Sequence, residues 1–289
     1  MRNPVFILLI GSLLLISMTH RAAAQQSENA PLYFAPLPTS NTKLNIVKSQ
    51  PIAQYLGKVL QRPVKAKLYQ SYDAILKDFT EGKIHFIELG PLPFLKLQSI
   101  TDNYSPLVSI NKQTDTSRYE CVLASAIDGL QNLEELTQLH HPKVALTQPM
   151  STCGWLVSNR LLKEQNFDLA SQHFEYLGSH SKVALALMRK EFDVGGLARF
   201  IAERYQKFGL RILSTSEALP HFTLVSQAEM FTEDEKKIIT QSLLNYQPDA
   251  NNDFRNKGFS PVEMSLFDSF KQRYTAQDTP LKAEHLWQE

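Results

Sequence analysis

Short β-like runs alternate with helical patterns along this chain, and that alternation restricts its possible folds more than any other feature. Leu32-Tyr33-Phe34-Ala35 reads as a strand, and Ile52, Tyr55, Leu56, Val59 and Leu60 recur at helical spacing within a helix predicted over 46–61. Residues 64–69 alternate as a strand. Ser71 stands as the cap of a helix over 72–81 that Gly82 ends, and 84–89 is a strand running into Gly90-Pro91, where a further short helix begins. The same grammar recurs with strands predicted over 119–124, 143–147, 174–177, 192–195 and 210–213. A β-α-β-α order puts helices on both faces of a mostly parallel sheet, so the expected class is α/β. Two polar stretches, 111–117 and 214–219, flank the second region and read as crossings between lobes. The chain after Pro220, with a helix capped by Thr232 and running to about Asn245, is expected to return to the first lobe. The predicted organisation is a discontinuous lobe of 25–113 and 217–289, with 114–216 as an inserted second lobe. Such an arrangement leaves a cleft between the lobes, where α/β proteins place ligands.

The N-terminus predicts where this chain works. Met1-Arg2-Asn3 is a short positive region, 4–18 is an apolar stretch, and Ala22-Ala23-Ala24 supplies small residues. That layout is a cleavable secretory signal over 1–24, cut before Gln25. The alternative, an uncleaved anchor, needs an apolar run of ~20 residues, and this one is shorter. No cysteine follows the small residues, so no lipid anchor is expected. The mature chain is expected in the periplasm, monomeric and not embedded in the membrane.

Removal of the leader leaves a length suited to two lobes of about 100–150 residues each. The whole chain carries 30 Lys plus Arg against 29 Asp plus Glu. A balance this even argues against nucleic acid as a partner, and any preference for an anion must come from a local site. The two cysteines, Cys121 and Cys153, can pair in an oxidising compartment. Their spacing does not decide between a disulfide and two buried thiols.

Local anion chemistry is most legible in Thr147-Gln148-Pro149-Met150-Ser151-Thr152-Cys153-Gly154-Trp155, a strand end that turns into a helix through hydroxyls and a glycine. Backbone N–H groups at a helix start have no intrahelical partner and carry partial positive charge. Hydroxyl donors beside them suit an anion, although Ser and Thr are equally the preferred helix caps. A second such junction is Gly178-Ser179-His180-Ser181, where His180 reads either as a capping residue or as a donor to an oxyanion. Tyr72 stands at the corresponding junction of the first lobe and reads as core or as a ligand contact.

In order along nearly the whole mature chain, several segments resemble one family. They are Pro51-Ile52-Ala53-Gln54-Tyr55-Leu56, Ser71-Tyr72-Asp73-Ala74-Ile75 and the run from Gly82-Lys83-Ile84 to Leu89-Gly90-Pro91. Ser151-Thr152-Cys153-Gly154, Gly178-Ser179-His180 and Phe192-Asp193-Val194-Gly195-Gly196 complete the set. The chain is similar to the substrate-binding proteins of phosphate, phosphite and phosphonate ABC importers, which have the two-lobed type II periplasmic binding fold. The resemblance implies a small phosphate-like oxyanion as ligand, an ABC permease as partner, and no cofactor. It also implies that Tyr72, Ser151, Thr152 and His180 contact the ligand. Cys153 stands where the family has a serine, so it brings a backbone N–H without a hydroxyl; Leu89 stands where phosphonate-binding members often have a tyrosine.

Two other functions fit parts of the sequence. Cys153, His180 and Asp193 can be drawn as nucleophile, base and orienting acid of a thiol-dependent enzyme, but no nucleophile motif surrounds Cys153. The same binding fold can also present its ligand to a membrane sensor kinase. Metal capture has less support, because His140-His141 precede Pro142 in a predicted loop with no ligand spacing nearby. Protein recovered from the periplasmic fraction should have an intact mass that begins at or within a few residues of Gln25, and retention of the apolar segment would contradict the predicted export route.

Overall fold

The computed structural model describes residues 30–38, 42–111, 118–247 and 258–274. The predicted signal over 1–24 and residues 112–117 of the first predicted crossing lie outside the described residues. The strands, in chain order, are β1 (Leu32–Ala35), β2 (Val64–Ala66), β3 (Phe86–Leu89), β4 (Ser105–Ile110), β5 (Arg118–Tyr119), β6 (Cys121–Ala126), β7 (Lys143–Leu146), β8 (His173–Tyr176), β9 (Val194–Ala198), β10 (Leu210–Thr215), β11 (Leu219–Pro220), β12 (Phe222–Ser226) and β13 (Phe259–Ser260). The helices are α1 (Thr42–Leu60), α2 (Tyr72–Thr80), α3 (Pro91–Gln98), α4 (Ser158–Lys163), α5 (His180–Met188), α6 (Arg199–Gln206), α7 (Glu233–Leu244) and α8 (Met264–Arg273). A wide π-type turn, Thr152–Val157, leads into α4.

One sheet has the order β13-β4-β12-β3-β1-β2 and a second has the order β10-β6-β9-β7-β8. The α/β class and the two-lobed fold are as expected, but the sheets are mixed rather than mostly parallel. Strands joined by helical crossovers run parallel: β2 with β1, β1 with β3, β7 with β8, and β7 with β9. The antiparallel pairs arise where the chain leaves one sheet and later comes back. Outgoing β4 lies beside returning β12, β5 beside β11, and β6 beside β10. Each of these pairs joins segments about a hundred residues apart, so local periodicity contains no sign of them.

Helices cover both faces of the first sheet, which is why β3 is buried along its whole length. Its alternating side chains serve two cores. Phe86 packs with Phe34, Leu56 and Leu224, whereas Ile87 and Leu89 pack with Ile75, Phe79 and Phe94. Truncating a buried phenylalanine such as Phe94 removes contacts worth ~3–5 kcal/mol. Caps end the helices where the sequence predicts them. The Ser71 hydroxyl accepts the Ala74 N–H at 3.3 Å, and Thr232 forms a reciprocal capping box with Glu235.

Next to α2, the Asp78 carboxylate accepts from Lys67 Nζ at 2.8 Å and from the Tyr69 hydroxyl at 2.6 Å. The hydrogen bond from Lys67, then that from Tyr69, holds its pKa down at about 2. An unfolded aspartate titrates near ~3.9, so the stabilisation is full above that value and is lost as pH falls toward about 2. Urea unfolding between pH 7 and pH 2 should show a loss of stability below about pH 4 that Asp78→Asn reduces; an equal loss in the variant would remove this network from the account.

Candidate functional site

The turn after β7 is held by its own polar groups. Ser151 caps it: the hydroxyl accepts the Gly154 N–H at 3.0 Å while the Ser151 N–H donates to Gln148 O at 3.0 Å. The Ser151 carbonyl then accepts from Trp155 at 3.1 Å and from Leu156 at 3.3 Å, the second being the longer reach of a π-type turn. Only glycine fits at position 154, because a Cβ there would lie 1.8 Å from Thr147 Oγ1. The strand end and the helix start are therefore pressed together. The geometry of a helix start leaves the N–H groups of Thr152 and Cys153 without an acceptor inside the turn, and the aligned peptides make that end electropositive. A serine hydroxyl that accepts once still has its own proton to donate. Ser151 is thus a cap and remains a donor.

Thr152 reaches across the cleft. Its Oγ1 accepts the Leu92 N–H at 3.1 Å, at the start of α3 in the first lobe, and its side chain is hydrogen-bonded to the Tyr119 hydroxyl. Tyr119 is close enough to Tyr72 for their phenols to interact electrostatically. Burial raises both phenols well above the usual value, with the Glu88 charge adding to the effect at Tyr72. Both are neutral donors at any physiological pH. Behind Tyr119 lies an aromatic wall: Phe222 stacks on it at 5.0 Å, and His221 and Phe200 lie at 5.4 Å and 6.3 Å.

His180 begins α5 behind the Ser179 cap, whose hydroxyl accepts the Lys182 N–H at 3.3 Å. Its Nδ1 accepts the Ala198 N–H at 3.2 Å. The residue as a whole is partly buried, yet its ring is desolvated, which pushes its pKa down to about 4. A neutral imidazole whose Nδ1 accepts must hold its proton on Nε2. That nitrogen is a donor. Gln148 links this junction to the first lobe, its Nε2 donating to Gly178 O at 3.0 Å and to Pro38 O at 3.3 Å.

Cys153 is joined to Cys121 by a disulfide, with the Cα atoms 5.0 Å apart. The thiol-enzyme reading fails on this bond: Cys153 carries no nucleophilic sulfur, and the Asp193 carboxylate accepts the Lys143 N–H at 2.8 Å instead of orienting His180. The structure thus brings Tyr72 and Thr152 together around Tyr119, and it places Ser151 and Cys153 in the same turn as Thr152. It also adds Tyr119, Gln148 and the Leu92 N–H, which the sequence reading did not single out. Gln148 was within reach, since it sits inside the hydroxyl-rich segment; nothing local marks Tyr119 or Leu92.

Two lobes with facing helix starts, crossed twice by the chain and armed with neutral donors, define a periplasmic binding protein of the two-lobed class. The chain belongs to the family described as ABC transporter, phosphonate, periplasmic substrate-binding protein, whose sequence model matches residues 34–267. It is a solute-capturing component of an importer, not an enzyme, and the family works in the periplasm beside a permease. No helix among the described residues is long and apolar enough to cross a membrane. In overall fold the chain is similar to PhnD1 from Prochlorococcus marinus in complex with methylphosphonate, at 17% identity and TM-score 0.72, covering 84% of this chain and 96% of that one. A binding protein component of an ABC phosphonate transporter from Pseudomonas aeruginosa gives 18% identity and TM-score 0.72, covering 85% of this chain and 87% of the other. XAC2383 from Xanthomonas citri bound to ATP gives 15% identity and TM-score 0.66, covering 83% and 94%.

An unfolded histidine takes up its proton near ~6.5, and His180 does so only at about 4. The unfolded chain binds the extra proton between those values, so the contribution of this residue to stability is full above ~6.5 and is lost as pH falls toward about 4. Nitrogen-15 imidazole spectra should show the Nε2–H tautomer of His180 persisting at pH 5.5; an imidazolium at that pH would contradict the assigned donor.

Proposed function

We propose that the protein captures a small phosphate-like oxyanion, namely phosphate, phosphite or a simple phosphonate, between its lobes for delivery to an ABC permease. What supports this reading is a set of uncharged donor groups at strand-to-helix junctions of both lobes. It comprises the hydroxyls of Tyr72, Ser151 and Thr152, the N–H groups of Thr152 and Cys153, and the Nε2–H of His180. Buried anions are stabilised by hydrogen bonds aimed at them, with or without a countercharge. Donors from both lobes give the ligand a reason to hold the lobes together.

The preferred ligand carries no aminoalkyl arm. The segments expected at the far end of the pocket, Gly195-Gly196-Leu197-Ala198-Arg199-Phe200 and Leu219-Pro220-His221-Phe222, contain no carboxylate. Phe200, His221 and Phe222 surround Tyr119 instead. Arg199 adds no repulsion there, since its guanidinium pairs with Glu120 at 2.6 Å and Glu203 at 2.9 Å. Glu88, buried in β3, acts electrostatically on Tyr72, but it lies outside both far-end segments and alternates to the strand face opposite Ile87 and Leu89. An ammonium against the aromatic wall would lose its water without gaining a counter-ion. The methylphosphonate in the Prochlorococcus PhnD1 complex is a ligand of the proposed size and charge.

Titration calorimetry with phosphate, phosphite, methylphosphonate and 2-aminoethylphosphonate tests the reading. One of the first three should bind most tightly. Thr152→Ala and His180→Ala should each weaken it by roughly tenfold to a hundredfold, the usual cost of deleting one donor to a charged group. Tightest binding by the aminoalkyl compound, or unchanged affinity in both folded variants, would overturn it.

A further inference from the structure

The disulfide sits where the proposed anion turn, the hinge and the His180 support meet. Cys121 is the first residue of β6, where the outgoing chain enters the second sheet. Its N–H donates to Ser216 Oγ at 3.0 Å, and its carbonyl accepts the Ser216 N–H at 2.8 Å. Ser216 lies between β10 and β11 on the returning chain, so one residue is tied to both crossings. On its other side Cys121 is in register with Ala198, whose N–H fixes Nδ1 of His180. Across the sulfur bridge, Cys153 belongs to the turn that presents the Thr152 and Cys153 N–H groups. Both cysteines are buried, at 0% and 2% exposure, so the bridge lies within the fold rather than across its surface.

The carbonyl of Cys153 is held, just as its sulfur is bonded. Ser158 Oγ donates to it at 2.5 Å, and a Cβ on Gly196 of β9 would lie 2.9 Å from it. The Ser151 cap, the close approach of Gly154 to Thr147 and the Leu92 N–H on Thr152 hold the start of the turn, and the sulfur bridge is its covalent tie to β6. Binding geometry must hold within about 0.5 Å to be productive. We propose that the Cys121–Cys153 disulfide is a positioning element of the binding site, which sets the anion turn and His180 in register with the hinge, so that affinity depends on the bond whereas the fold does not. This rests on the oxyanion reading above.

The test compares the mature chain with Cys121→Ala/Cys153→Ala, which adds no hydroxyl, and with Cys121→Val/Cys153→Ala, which also keeps apolar volume on the buried strand. Backbone amide exchange is measured without added oxyanion, and titrations use methylphosphonate and inorganic phosphate. Amides of 154–156, Ala198 and Ser216 should lose protection in the variants while those of the first sheet keep theirs. Whichever probe binds the disulfide-bonded chain should bind the variants roughly tenfold more weakly, the equivalent of about one well-aimed donor. Equal affinity overturns the proposal, and so does unchanged exchange at those amides. Failure of both variants to fold also overturns it, because the bond would then serve the fold as a whole. If the disulfide-bonded chain binds neither probe, yet exchange changes as described, the oxyanion reading falls and the positioning of the turn stands.

Discussion

Two lengths of chain that run side by side between the sheets set the terms for everything else in this molecule. The outgoing path through β4, β5 and β6 is hydrogen-bonded to the returning path through β12, β11 and β10. Because of this pairing the two sheets are mixed, and the start of the second sheet, Cys121, lies against the return path at Ser216. It also brings Tyr119, on β5, next to His221 and Phe222, just after β11. Those rings pack against one another beside the crossings. The candidate site is thus built where the crossings and the facing helix starts converge.

The donors gathered there are uncharged. Burial keeps the Tyr72 and Tyr119 phenols protonated, and desolvation keeps His180 neutral with its proton on Nε2. The nearest guanidinium in sequence, Arg199, is already committed to Glu120 and Glu203. An anion entering such a site brings the charge, and the protein answers with oriented dipoles and N–H groups that need no reorganisation. A fixed cation would bind more strongly in isolation but would discriminate less by shape.

What the sequence revealed follows the range of the interaction involved. Leu32–Ala35, the Ser71 cap and the Thr232 box are settled within a few residues, and all three are legible in sequence. So is the Ser151 turn as a helix cap. The ordered motifs also identified the family. The antiparallel return of β12 onto β4 was not legible, because the pairing of Phe222 with Ile110 depends on an entire inserted lobe in between. The Leu92 N–H on Thr152 was hidden for the same reason, since a backbone donor leaves no mark in side-chain patterning. The cysteines fall between these cases. The compartment permitted their bond, but only the fold brings β6 under the turn and so decides the partner.

Paired straps also govern how the lobes can move. A single connecting strand can twist, swing and splay, whereas two strands cross-linked along their length behave as a ribbon. A ribbon bends readily perpendicular to its plane and resists shear within it. The short β5–β11 pairing, Leu219 with Tyr119 and Pro220 with Arg118, gives the connection between the lobes this character. Such a connection favours one rotational coordinate between the lobes over twisting or sliding.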